Sequence, residues 1–198
     1  MNCKSTNETL LLGLKEKIAA SDQNSFRQLF HLYAKKLTQF AFAIVKSNEA
    51  AREIVDEVFI KIWKNRSSIT TIQNLTVYLY TAIKNTSLNY LSARAKQNMV
   101  ESFDFFSIQL SDNNSPEKSL ISSELLKKIN AAIDQLPPRC KMVFKLVRED
   151  GLSYKEVGAI LKISPKTVDA QMMIAVKQIS EKVKRDFDYF PNRNIKKN

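Results

Sequence analysis

The chain has 198 residues, only 3 glycines and 5 prolines, and a formal net charge of +11. The length allows one large or two small domains with buried cores, and the scarcity of turn residues excludes a sandwich or barrel in favour of an all-α fold. Clustered Lys and Arg release counterions from phosphates, so the charge points to a polyanion partner, with a merely soluble basic protein as the plain alternative.

Residues 1–19 open with "MNCKSTNETLLLGLKEKI". The stretch lacks the apolar run and small-residue cleavage site of a signal peptide, and it is read as a lead segment. No apolar run reaches membrane-spanning length, so a cytoplasmic protein without membrane insertion is expected. Cys3 and Cys140 are the only cysteines. They are too few and too far apart for a disulfide framework, and both are expected as free thiols.

The first strong pattern is "NSFRQLFHLYAKKLTQFAFAIV". Phe26, Leu29, Phe30, Tyr33, Leu37, Phe40, Ala41 and Ile44 recur at spacings of three and four, which is one face of a helix. His31, the single histidine, falls off that stripe and reads as a surface or half-buried residue rather than a ligand.

A second helix is predicted over "NEAAREIVDEVFIKIWKNR", with Ile54, Val55, Val58, Phe59, Ile62 and Trp63 as its apolar stripe. Glu53, Asp56 and Glu57 share the opposite face. Like charges so spaced cost roughly 0.2–0.5 kcal/mol per pair. Either water solvates them or a partner offsets them. Acid–base chemistry is rejected, since no histidine, metal-ligand cluster or glycine loop accompanies these carboxylates. No catalytic residue, metal or cofactor is expected.

The third pattern, "NLTVYLYTAIKNTSLNYLSARAK", has Asn74 as N-cap and Leu75, Tyr78, Leu79, Ala82 and Ile83 as its core stripe. Past Asn85 the pattern slips onto a rotated face, which predicts a break or bend near residues 84–88. Lys84, Asn85, Asn89, Tyr90, Arg94 and Lys96 gather cations, amides and an aromatic. Such a mixture suits single strands, because bases stack on aromatics while cations follow the backbone.

Residues 97–118 show no sustained period, and Asp112-Asn113-Asn114-Ser115-Pro116 is a turn-and-linker signature. The charge map agrees. Residues 1–96 carry 14 basic and 7 acidic side chains, residues 97–118 carry 1 and 4, and residues 119–198 carry 16 and 9. Two basic helical domains, residues 20–96 and 119–186, are therefore expected on either side of a flexible acidic linker, with a basic tail at 187–198.

In the second domain, Leu120, Ile121, Leu125, Ile129 and Ile133 mark a helix that Pro137-Pro138 ends. Met142, Val143, Leu146 and Val147 mark a short helix closed by Asp150-Gly151. Ser153 and Glu156 then stand in the capping-box arrangement. Val157, Ile160 and Leu161 supply that helix's contacts, and Gly158 at its middle is expected to let another helix cross tightly. Lys162-Ile163-Ser164 is a three-residue turn, with Ser164 as N-cap and Pro165 as first helical residue. The last helix is expected to bury Val168, Met172, Ala175, Val176 and Ile179. Lys166, Ala170, Met173, Ile174 and Lys177 then point outward. An outward Met and Ile between lysines suit a surface that meets thymine methyls and phosphates. The pair reads as a helix-turn-helix, with an ordinary helical hairpin as the alternative.

"LPPRCKMVFKLVREDGLSYKEVGAILKISPKTVDAQMMIAVKQI" resembles region 4 of bacterial extracytoplasmic-function (ECF) RNA polymerase sigma factors. "FRQLFHLYAKKLTQFAFAIV…EIVDEVFIKIWKNR…VYLYTAIKNTSLNYL" resembles their region 2. The variant most similar is the Bacteroidetes type. The resemblance implies a promoter-specific initiation factor whose partners are core RNA polymerase, promoter DNA and an anti-sigma factor. It implies polymerase binding through Glu53, Asp56, Glu57 and Phe59. It implies minus-ten recognition through Lys84, Asn85, Asn89, Tyr90 and Arg94, and minus-35 recognition through Ser164, Lys166, Thr167, Asp169, Ala170, Gln171, Met173 and Lys177. The chain departs from the family at Lys162, where glycine is frequent, at Asp169, where some members place a basic contact, and at Ser92, where Arg is common. No zinc-binding motif is present. A regulator acting without polymerase, built like the output domain of a response regulator, is the other reading; a structural adaptor is a third. The acidic face at 53–57 discriminates, because only a polymerase subunit needs it.

Overall fold

The computed structural model describes residues 3–97 and 120–188, all of them in helices or the turns that join them. The chain divides into two compact units, Met1–Phe105 and Phe106–Asn198. Most of the expected linker and of the basic tail lies outside the described residues.

The first unit holds α1 (Cys3–Ala19), α2 (Gln23–Val45), α3 (Asn48–Lys64), a 3-10 helix (Arg66–Thr71) and α4 (Leu75–Gln97). Asp22 starts α2 by accepting from the Asn24 and Ser25 amides at 3.1 Å each. Ser47 caps α3 and Asn74 caps α4, the latter accepting from the Val77 amide at 2.9 Å. α2 packs on both α3 and α4, and Leu29, Leu37, Ala41, Val55, Val58, Leu79 and Ile83 close the core between them. Phe40 meets Tyr80 edge-on at 5.1 Å.

Residues 1–19, expected as a lead segment, contain α1. This helix packs against the 3-10 helix and α2, burying Leu14 and Ile18. Lys15 is also buried there, its Nζ donating to the Ile72 carbonyl at 2.6 Å.

A break or bend was expected near residues 84–88, and there is no break: α4 runs on through them as one helix. Its buried line is Leu75, Leu79, Ile83, Ser87 and Leu91. A spacing of four overshoots one turn by about 40° at each step. The line therefore winds round a continuous helix, and the rotated pattern needs no break. Ser87 on this line is fully buried.

The second unit holds α5 (Leu120–Asp134), α6 (Pro138–Arg148), α7 (Tyr154–Leu161) and α8 (Pro165–Asp188). α5, α6 and α7 each pack on α8. Ile133, Leu136, Cys140 and Ala175 form a core cluster flanked by Ile129, Phe144 and Ile179. The Lys141 ammonium, 1% exposed, reaches the Asp134 carboxylate at 2.7 Å and its carbonyl at 3.2 Å across the proline turn.

Candidate nucleic-acid interface

The turn between α7 and α8 is built from local hydrogen bonds. Ser153 and Glu156 cap α7 reciprocally: the Ser153 amide donates to Glu156 at 2.8 Å, and the Glu156 amide donates to the Ser153 hydroxyl at 3.3 Å. Lys162 ends the helix in the left-handed region at φ 57°. Ile163 N–H then returns to the Gly158 carbonyl at 3.0 Å. A Cβ on Gly158 would sit 2.8 Å from the Ile163 carbonyl oxygen. Glycine is therefore required by the chain's own turn, not by a crossing helix. Ser164 opens α8, accepting from the Thr167 amide at 3.0 Å.

α8 buries Val168, Met172 and Ala175, with Ile179 half-buried. Val176, expected in the core, is exposed, because it lies about 100° round the helix from Ala175. Ser164, Lys166, Thr167, Asp169, Ala170 and Met173 are all exposed over the first turns, Met173 at 68%. Ile174 is exposed beside them, and Lys177 stands 3.9 Å from Glu181. Gln171 differs from its neighbours. It is half-buried, and its Oε1 accepts from the Cys140 thiol on α6 at 2.8 Å.

On α4 the five expected residues do not form one surface. Asn85 and Asn89 share one face; Tyr90 and Arg94 share another, more than 90° away. Lys84 is 7% exposed and faces the core side, so it belongs to neither. Tyr78, expected in the core stripe, is exposed on the same side as Asn85 and Asn89. Its seven-residue spacing from Asn85 is the signal that would have found it.

On α3, Glu53, Asp56 and Glu57 form an exposed acidic face, with Glu57 paired to Lys61. Phe59 does not belong to it. It is 3% exposed and meets Phe30 at 4.9 Å and Phe26 at 6.0 Å, edge-on in both cases. The apolar residue on the acidic face is Ile60, 53% exposed and placed at i+3 and i+4 from Glu57 and Asp56. Arg66 lies 5.0 Å over the ring of Trp63 at the end of this helix.

Residues 29–97 match the family model for sigma-70 region 2, and residues 126–179 match the model for sigma-70 region 4. Together the two matches span more than half of the chain, in the order region 2 then region 4. The chain belongs to the sigma-70 family. The ECF RNA polymerase sigma-E factor of Escherichia coli K12 is 28% identical over 177 residues, covering 86% of this chain and 92% of that protein. The sigma-E factor of Haemophilus influenzae is 26% identical over 178 residues, covering 86% and 94%. Among solved structures, the sigma factor RpoE of Bartonella quintana, in complex with the anti-sigma factor NepR, is similar at TM-score 0.58 and 21% identity. That match covers 81% of this chain and 98% of that one. CnrH in complex with the cytosolic domain of CnrY is similar at TM-score 0.56 and 17% identity, covering 89% and 99%.

The protein is thus an ECF sigma factor, which directs the initiation of transcription. Most of α2, with α3 and α4, falls within its region 2, and the second half of α5, α6, α7 and most of α8 within its region 4. No described helix is long and apolar enough to cross a membrane.

Proposed function

We propose that this sigma factor docks on core RNA polymerase through Glu53, Asp56, Glu57 and Ile60 of α3. Asn85, Asn89, Tyr90 and Arg94 on α4 serve the minus-ten element. Ser164, Lys166, Thr167, Asp169, Ala170, Gln171, Met173 and Lys177 on α8 serve the minus-35 element. Its share of the work is binding and positioning, and the chemistry of RNA synthesis belongs to the polymerase. Lys166 and Lys177 supply phosphate contacts, while Thr167, Ala170 and Met173 lie where base edges would be met. The domains it uses are residues 20–96 and 119–186, joined by 97–118. It acts in the cytoplasm, is held in reserve by an anti-sigma factor, and is of the Bacteroidetes type.

The observation that carries the polymerase-subunit reading is the acidic face of α3 on a strongly basic chain. Three carboxylates, of which Glu57 is paired to Lys61, and an exposed isoleucine share one face and suit a basic protein partner. Capture of purified core enzyme by the chain tests it. The Asp56→Lys, Glu57→Lys double variant should lose core binding while keeping its helix content. Unchanged capture would return this face to solvent.

A further inference from the structure

Cys140 touches the DNA-facing helix from behind. It is 3% exposed, set among Ile133, Leu136 and Ala175, and donates to Gln171 Oε1 at 2.8 Å. Burial pushes its thiol above the ordinary 9.0. At neutral pH the sulfur therefore keeps its proton and remains a donor.

Gln171 stands about 100° round α8 from the exposed Ala170 and is half-buried at the edge of the outward face. A carboxamide carries an acceptor on one side and two donors on the other. Reading adenine uses both at once, with Oε1 accepting from N6 and Nε2 donating to N7. The thiol holds Oε1 toward α6, so the Nε2 hydrogens are what this side chain offers outward.

We infer that Cys140 is a positioning residue that sets specificity: by holding Oε1 of Gln171 it makes Gln171 a donor-only contact, fitted to an oxygen acceptor on DNA and not to the donor–acceptor edge of adenine. The acceptor is guanine O6, thymine O4 or a backbone phosphate. This rests on the proposed reading of α8 as the minus-35 helix.

The test is a selection of minus-35 sequences by holoenzyme assembled from core polymerase and the full chain. Cys140→Ser keeps a donor and should select the wild-type motif. Cys140→Val removes the donor, frees the carboxamide, and should enrich adenine at one position by about fivefold or more, the low end of a bidentate discrimination. Cys140→Ala removes the same donor without the added methyl groups and should do likewise, even where valine fails to fold. Adding Gln171→Leu should abolish that shift. Gln171→Leu alone separates base from phosphate: loss of a guanine or thymine preference at one position marks a base, and weaker binding with an unchanged motif marks a phosphate.

An unchanged motif in Cys140→Ala and Cys140→Val overturns the inference. So does a shift that persists with Gln171→Leu, since it would be mere displacement of α8. Ala170→Arg and Met173→Ala serve as separate arms. If they change the motif and the Cys140 variants do not, only this inference falls. If they too select the wild-type motif, the reading of α8 falls with it.

Discussion

Gly158 and Lys162 show how one short turn constrains two residues in opposite ways. At Gly158 a Cβ would meet a backbone carbonyl that cannot rotate away. Gly158→Ala should therefore destabilise the chain by about 1–3 kcal/mol, the overpacking cost outweighing alanine's better helix propensity. Lys162 holds a left-handed conformation that costs a non-glycine residue roughly 1–2 kcal/mol. Lys162→Gly should relieve it, and after the looser unfolded chain is counted a gain of about 0.5–1 kcal/mol remains. Thermal unfolding followed by circular dichroism should show the two variants moving in opposite directions. Movement the same way would mean that the turn is not shaped as described.

Asp22 carries a consequence for acid stability. The Ser25 hydroxyl, followed by the Asn24 amide, holds its carboxyl below the ordinary 3.8. Because the folded pKa lies below the unfolded one, the stabilisation is complete above the ordinary aspartate range. It is lost as pH falls through the folded value. Asp22→Asn keeps an oxygen acceptor for the cap without a titrating group. In that variant, helix content measured across an acid titration should become less sensitive to pH below about 4. An acid profile identical to the parent chain's would refute this part of the account.

At the scale of elements, the N-caps at Asn74, Ser153 and Ser164 and the stripes of α2 and α3 are legible from local chemistry, which spacing alone reports. What eludes the sequence is which edge of a stripe the neighbours cover. Phe59 lies on the stripe that spacing reports and is buried against Phe26 and Phe30, so the polymerase contact implied by family resemblance passes to its exposed neighbour Ile60. Lys84 is expected among the minus-ten contacts, yet its four-carbon stem lets it lie against a core. Tyr78 and Val176 err the other way, apolar by type but set just beyond the covered face. α1 is hidden because Leu10, Leu11 and Leu12 are consecutive and so mark no single face. Within α8 the proposed roles predict distinct signatures. Lys166→Ala should weaken binding to all promoters alike and lower the dependence of log affinity on log salt by roughly one unit. A Lys166→Ala variant whose salt dependence matched the parent's would remove that residue from the phosphate contacts.

Across the whole molecule, two units each bury their own core, and each carries a sigma-70 region match. Basic charge dominates both halves of the sequence. That favours association with DNA in general but selects no sequence by itself. The exception is the acidic face of α3, which on a DNA-seeking protein adds repulsion unless a basic partner covers it. The central claim is that this chain works as a polymerase subunit rather than as a DNA-binding protein acting alone. Run-off transcription with purified core RNA polymerase and a library of promoter fragments tests it most directly. Transcripts with discrete start sites are expected only when the chain is added, and they should be lost in the Asp56→Lys, Glu57→Lys variant although that variant still binds DNA. A chain that bound promoter DNA yet neither bound core enzyme nor supported any chain-dependent transcript would contradict it.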